Sequence, residues 1–181
     1  TAIYTAYNHG SAYDPADIGL SAIPKFDRFT LNPKLFLYIN DITTIITGVN
    51  ATVEKRIGGD MEYIKGNGSI NHSYFEKNKT GRYSTQFDLE HRLNDKSKFV
   101  FKNSVSYYDR SIYLPSYLFA GKQVSTYSEA NYSHNGEKAD WIIGANLLTD
   151  KFSEDKVDAT SVRDYNYTTI GGFALNTWNA T

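Results

Sequence analysis

Cysteine is missing from all 181 residues. That excludes a disulfide framework and any thiolate metal site, so a chain of this size draws its stability from a core, a sheet or a membrane. Long apolar runs are missing too. The longest, Leu35–Ile39 (LFLYI), falls far short of the roughly 18 residues a spanning helix needs. A helical membrane protein is thereby excluded, whereas one built of strands is not, because alternation keeps its mean hydropathy low. Neither sign of charge dominates: 19 Lys and Arg stand against 20 Asp and Glu, for a net charge of −1. With no basic stripe to neutralise phosphates, nucleic acid is excluded as a partner.

The signatures of bond-making chemistry are equally scarce. GNGS (66–69) is followed by neither a phosphate-loop lysine nor a strand-to-helix step, and no nucleophile elbow occurs. His9, His72, His91 and His134 are too scattered for a preformed metal site, and Asp14 and Asp17 in YDPADIG lack the spacing of a calcium loop. The residues therefore call for no catalytic group, no metal and no cofactor, and point to binding rather than catalysis.

What is abundant is aromatic: 15 Tyr, 10 Phe and 2 Trp. Aromatic and β-branched side chains favour a pleated, half-buried surface. Period-two alternation marks about eight strands, at roughly 1–8, 26–39, 42–56, 81–92, 97–109, 122–133, 139–151 and 165–178. The clearest is RYSTQFDLEHRL, with Tyr83, Thr85, Phe87 and Leu89 on one face and Arg82, Ser84, Gln86, Asp88 and Glu90 on the other. The opening TAIYTAYNHG also alternates and is expected to be a strand rather than a cationic–apolar leader. Pro33 interrupts the second segment, where a bulge or a missing ladder bond is expected.

Connections alternate in length. Tight polar turns follow Ile39, Leu93 and Ser133, whereas 9–25, 57–80, 110–121 and 152–164 read as long loops. An antiparallel meander then carries its tight turns at one end and its long loops at the other, the anatomy of a transmembrane β-barrel. Strands of 12–14 residues exceed the usual 5–6 of a soluble sandwich and suit a tilted strand crossing a bilayer. The expected fold is all-β: an up-and-down meander with its apolar face to lipid and its polar face to an aqueous lumen.

The segments RFTLNPKLFLYIN, EKRIGGDMEYIKG, YFEKNKTGRYSTQFDLEHRL, FVFKNSVSYYDRSI, GKQVSTYSEANYS, WIIGANLLTDKF and YTTIGGFALNTW, in that order, resemble TonB-dependent outer-membrane receptors. The likeness is to the siderophore and vitamin B12 receptor type of Bacteroidetes-like bacteria, and it covers 1–181 as a stretch from the middle of the barrel. It implies eight strands of a 22-stranded barrel whose lumen holds a plug. Within this stretch there is neither plug nor TonB box, and the final NTWNAT is expected to end at a turn rather than at a terminal aromatic. The resemblance implies the outer membrane of a Gram-negative cell, with outer-membrane lipid as one partner and the TonB complex, reached through an N-terminal region, as another. It also implies TonB-driven uptake of a nutrient chelate or glycan, with iron-siderophore, haem, cobalamin and oligosaccharide as cargo classes.

Two other readings share the alternation: a complete eight-stranded outer-membrane barrel serving as adhesin, anchor or enzyme, and a soluble β-sandwich binding carbohydrate. Ligand contact is expected from loop residues: Tyr63, His72 and Tyr74 on the segment 56–79, which Gly58, Gly59, Gly66 and Gly68 free for sharp turns, and Tyr113 and Tyr117 in 110–121. Arg28, Lys34, Arg82, Asp88, Glu90, Lys102 and Glu129 are expected to face the lumen. Tyr107, Tyr108, Tyr113, Tyr117, Tyr165, Tyr167, Trp141 and Trp178 are expected to form interfacial girdles.

Overall fold

The computed structural model describes residues 1–155 and 163–178; positions 156–162, within the expected loop 152–164, and 179–181, where a turn was expected, lie outside the described residues. Eight strands form one antiparallel sheet in chain order. They are β1 (Ala2–Gly10), β2 (Lys25–Asn40), β3 (Thr43–Gly59), β4 (Phe75–Asn94), β5 (Ser97–Leu114), β6 (Tyr117–Asn135), β7 (Ala139–Glu154) and β8 (Tyr165–Trp178). One short helix, α1 (Met61–Lys65), stands between β3 and β4.

Register is almost unbroken. The β5–β6 ladder runs from Ser97↔His134 to Leu114↔Tyr117 with no slip, and β3–β4 runs likewise from Thr43↔His91 to Gly59↔Phe75. Slips occur beside two tight turns, at Tyr38/Asn40 and Arg92/Asn94. In both turns an asparagine side chain takes over from the ladder: Asn40 Oδ1 accepts from Ile42 N at 3.1 Å and Asn94 Oδ1 from Lys96 N at 3.0 Å, the Asx geometry that makes Asn a turn former.

Pro33 produces no bulge. The β2–β3 ladder lapses between Leu31↔Ala51 and Lys34↔Gly48 and resumes in the same register, so only local bonds are lost. The bare Gly48 lets the backbones close up: a Cβ there would sit 2.8 Å from the Pro33 carbonyl oxygen. A similar lapse between Ser84↔Ser106 and Phe87↔Asn103 is bridged by side chains. There Ser104 Oγ donates to Thr85 O at 2.8 Å, and Val105 N donates to Thr85 Oγ1 at 3.1 Å.

One loop expectation is overturned. Positions 110–121 are not a loop: β5 and β6 continue to Leu114 and Tyr117 around a Pro115–Ser116 turn. Ser111, Ile112 and Tyr113 pair with Ala120, Phe119 and Leu118, and the β-branched Ile112 and aromatic Tyr113 and Phe119 fit the pleat. Tyr113 and Tyr117 are therefore strand residues. The segment 57–80 is also shorter than expected, since β3 reaches Gly59 and β4 begins at Phe75.

Because opposite residues share a face and neighbours alternate, the register assigns every side chain. One face carries Ile3, Leu31, Leu37, Ile45, Val49, Val53, Phe87, Leu89, Phe101, Val105, Val124, Ile143, Leu147 and Ile170. No apolar side chain is buried among the described residues; Val49 is 49% exposed and Ile170 80%. There is no second sheet in the strand order, and β1 does not pair with β8. The closure that a complete eight-stranded barrel requires and the opposing layer that a sandwich requires are both absent among the described residues.

Replacing Gly48 with valine should force β2 and β3 apart at Pro33 and lower stability by about 1–3 kcal/mol, the usual cost of overpacking. Thermal unfolding of the variant checks this; an unchanged transition would mean the close approach is dispensable.

Candidate functional site

The second face carries most of the charge, interspersed with Phe36, Ile46, Val100, Ile142, Leu148, Phe173 and Leu175, and its polar groups are organised. All seven residues expected to face a lumen, Arg28, Lys34, Arg82, Asp88, Glu90, Lys102 and Glu129, lie on it by register. Among them Glu90 forms a salt bridge with Lys98 at 3.3 Å and Lys102 one with Glu129 at 3.8 Å. Asp88 accepts from Gln86 Nε2. Further along, Gln123 Nε2 donates to both Asp150 oxygens at 2.9 Å.

Towards the long loops this face becomes cationic. Arg28, Glu54, Thr80 and Arg110 form one row across β2–β5 by direct pairing. On the turn side lies the row Thr30, Thr52, Arg82 and Tyr108, and on the loop side Phe26, Arg56, Asn78 and Ile112. Three threonines make a low floor, with Thr30 and Thr52 hydroxyls 3.2 Å apart, and four arginines stand around it. The result is a recess of about 520 Å³.

Each guanidinium is held. Glu54, with its side chain 12% exposed, accepts from Nε of both Arg28 and Arg56, and from Arg56 Nη2 at 3.1 Å. The Phe26 ring lies 5.8 Å from Arg28 Cζ and 5.9 Å from Arg56 Cζ, while Arg82 Cζ sits 5.0 Å from the Tyr108 ring. Stacking of this kind suits the planar, weakly hydrated guanidinium. Arg110 Nε reaches Asn78 Oδ1 at 3.4 Å. Neither Arg82 nor Arg110 forms an ion pair among the described residues.

The expected loop residues disperse. Tyr63 stacks on Phe75 at 4.7 Å, with Lys77 Nζ 5.2 Å and 4.7 Å from the two rings and 3.1 Å from the Tyr63 hydroxyl. Tyr113 pairs with Lys77 on the apolar face, so Tyr63 and Tyr113 belong to that side. Tyr117 lies on the polar face, where its hydroxyl accepts from Arg163 Nη2 at 3.1 Å. His72 is tied to Asp60. Only Tyr74 borders the cationic recess, lining its loop-side extension with Arg56 and Arg110. Of the expected girdle residues, Tyr107, Tyr113, Trp141 and Trp178 lie on the apolar face, whereas register puts Tyr108, Tyr117, Tyr165 and Tyr167 on the polar one.

Two long loops close over this end. Ser21 N donates to Gly59 O at 2.9 Å, Met61 N to Gly19 O at 2.9 Å, and Gly59 N to Ser21 Oγ at 2.9 Å. Asp60 is the knot: its Oδ1 caps α1 by accepting from Glu62 N at 2.8 Å and Tyr63 N at 3.3 Å, and its Oδ2 lies 2.8 Å from His72 Nδ1. The His72 hydrogen bond foremost, with the helix N–H groups, holds the Asp60 carboxyl below its ordinary range, against the opposing effect of burial. Gly66 ends the helix at φ 97°, a left-handed conformation natural to glycine.

Arg56, Arg110 and Glu54 were not among the expected lumen residues. For Arg110 no clean signal was present, since in YYDRSIYL the alternation breaks: Asp109 and Ser111 fall on the apolar side and Ile112 and Leu114 on the polar one. Comparison with protein-family models, with curated proteins and with solved structures finds no match to this chain.

A lowered carboxylate pKa stabilises the fold above its ordinary value, and that stability is lost as pH falls through the folded value. The Glu62 and Tyr63 amide resonances should therefore hold steady from neutral pH and move only below the ordinary Asp range of about 3.9. In Asp60→Asn, made together with Glu62→Gln so that the neighbouring carboxyl does not report in the same acid range, the inflection should vanish; its persistence would show that another carboxylate holds the loop.

Proposed function

We propose that this sheet is part of the wall of a transmembrane β-barrel in a Gram-negative outer membrane, and that the barrel serves TonB-dependent uptake of a scarce nutrient. The observation that carries the reading is a two-faced sheet of eight long strands in which no apolar side chain is buried among the described residues. In water such an apolar face is an aggregation surface; against acyl chains it is at home.

The apolar face has the banding of a membrane wall. Near the tight turns it ends in Phe99, Tyr132, Trp141, His91 and His134, and near the long loops in Tyr7, Tyr83 and Tyr107, beyond which stand Lys55, Lys79, Lys122 and Lys151. On β4, His91 and Lys79 bracket the band about twelve residues apart. At ~3.3 Å per residue that is about 40 Å of strand, or about 30 Å of height at a tilt of ~40°, close to the apolar band of such barrels. The ordered succession of segments that resembles TonB-dependent receptors supplies the uptake role, and a recess beneath the long loops is where a captured solute would lodge. No helix among the described residues is long and apolar enough to cross a membrane, and crossing falls to the strands. The unpaired edges at β1 and β8 are then where further strands, up to the 22 of that family, complete the wall.

Spin labels placed singly along 82–92 in the bilayer-reconstituted protein should alternate: oxygen-accessible at Tyr83, Thr85, Phe87 and Leu89, and accessible to a water-soluble relaxant at Ser84, Gln86, Asp88 and Glu90. Water access at both sets would sink the membrane assignment. Val49→Arg, in mid-band, should cost about 2–4 kcal/mol of folding stability in bilayers, whereas Ser84→Arg on the polar face should be near neutral.

A further inference from the structure

The polar face is not uniformly wet or uniformly mixed in charge. Around the threonine floor stand four arginines and one carboxylate, an excess of three positive charges. Lys34, Lys98 and Lys102 lie elsewhere on the face, and the latter two are already paired with glutamates. Cationic excess is thus concentrated in one concavity.

Its construction is that of a binding site rather than a solvated patch. Arg28 and Arg56 are fixed by sharing Glu54 and by the Phe26 ring, and Arg82 is fixed by Tyr108. Fixing long side chains in advance removes the rotamer entropy that binding would otherwise cost. Gathering like charges is electrostatically unfavourable, and the single Glu54 offsets only part of it. Arg82 and Arg110 face the recess from adjacent rows with N–H groups that no acid takes up among the described residues. A guanidinium offers a planar fork of donors that matches the paired oxygens of carboxylate and phosphate. The threonine hydroxyls and the Asn78 amide add neutral donors at the floor and rim. A volume of about 520 Å³ is that of a small-molecule site, within the ~300–1,000 Å³ such sites occupy. Towards the paired loops the recess shares Arg56, Asn78 and Arg110 with an adjoining hollow lined also by Tyr74 and Glu76.

We propose that the Arg28–Arg56–Arg82–Arg110 recess binds a small polyanion bearing two or more carboxylate or phosphate groups, with Arg82 and Arg110 as the principal contacts. This deepens the uptake reading and rests on it for the recess being a lumenal site, although the binding chemistry itself does not require a membrane.

The test is calorimetric titration of the intact protein in detergent with citrate and with pyrophosphate, and with sucrose as a neutral probe of similar size. Citrate, pyrophosphate or both should bind, more weakly as salt is raised, and sucrose should not. Arg82→Gln and Arg110→Gln should each weaken binding by about tenfold or more, the worth of one charge-assisted hydrogen bond. Lys34→Gln, on the same face near the tight turns, should leave it unchanged. Circular dichroism and heat-modified gel migration report whether each variant still folds, and Arg82→Lys offers a milder change that keeps the charge but loses the fork. Equal binding by wild type, Arg82→Gln and Arg110→Gln would overturn the proposal, as would no binding of either anion by folded protein. Binding of a hexaglutamate peptide with no binding of citrate or pyrophosphate would also overturn it, assigning the recess to an acidic protein segment. Failure of the spin-label alternation along 82–92 with anion binding intact would remove the membrane reading and leave the site standing.

Discussion

A side-chain period of two, held to a register that scarcely slips across eight strands, is the constraint on which the rest of this structure depends. A shift of one residue in any ladder would turn that strand's apolar row to the polar face and its charges to the apolar one. The arginine recess shows how much rides on this. Arg28, Glu54, Thr80 and Arg110 come from four strands and meet only because three successive ladders place them in one row. The two slips that occur lie beside tight turns, where Asx bonds absorb the extra residue and the interior rows are undisturbed. Pro33, the residue most apt to break the pattern, is accommodated by the loss of local bonds with the register intact, helped by a glycine opposite the gap.

Among the described residues this sheet has no buried apolar core of its own. Its internal order comes from main-chain ladders and from cross-strand contacts such as Tyr83 with Tyr107 at 6.2 Å and Phe87 with Phe101 at 6.3 Å, each a modest contribution. The large favourable term that ordinarily offsets chain entropy, burial of apolar surface, must come from whatever covers the apolar face. In the proposed membrane setting lipid supplies it, and the ladders become obligatory because the hydrocarbon offers backbone groups no other partner.

At the loop end, ordered structure continues beyond the band. The segments 11–24 and 60–74 are joined by main-chain bonds, and Asp60 ties helix cap and His72 together with one carboxylate. The extended β5–β6 hairpin adds a stiff arm where a loop was expected. Loops held in this way can shape the mouth of a recess instead of merely fluctuating above it.

The strands themselves, their number, their order and their two faces were legible in the residues, because alternation is a local property that each strand declares independently. So were seven of the charged residues of the polar face. The ends of strands were less legible: PSY in the middle of 110–121 reads as loop, yet two residues suffice for a hairpin once Ser111–Leu114 find partners across it. Which tyrosines share a face was not legible from their nearness to strand ends, since Tyr107 and Tyr108 are neighbours and point oppositely. The arginine recess was legible only in part, with Arg28 and Arg82 marked and Arg56 and Arg110 missed. Alternation tells which side of the sheet a residue takes; only pairing tells which residues stand beside it, because register is set between strands and leaves no trace within one.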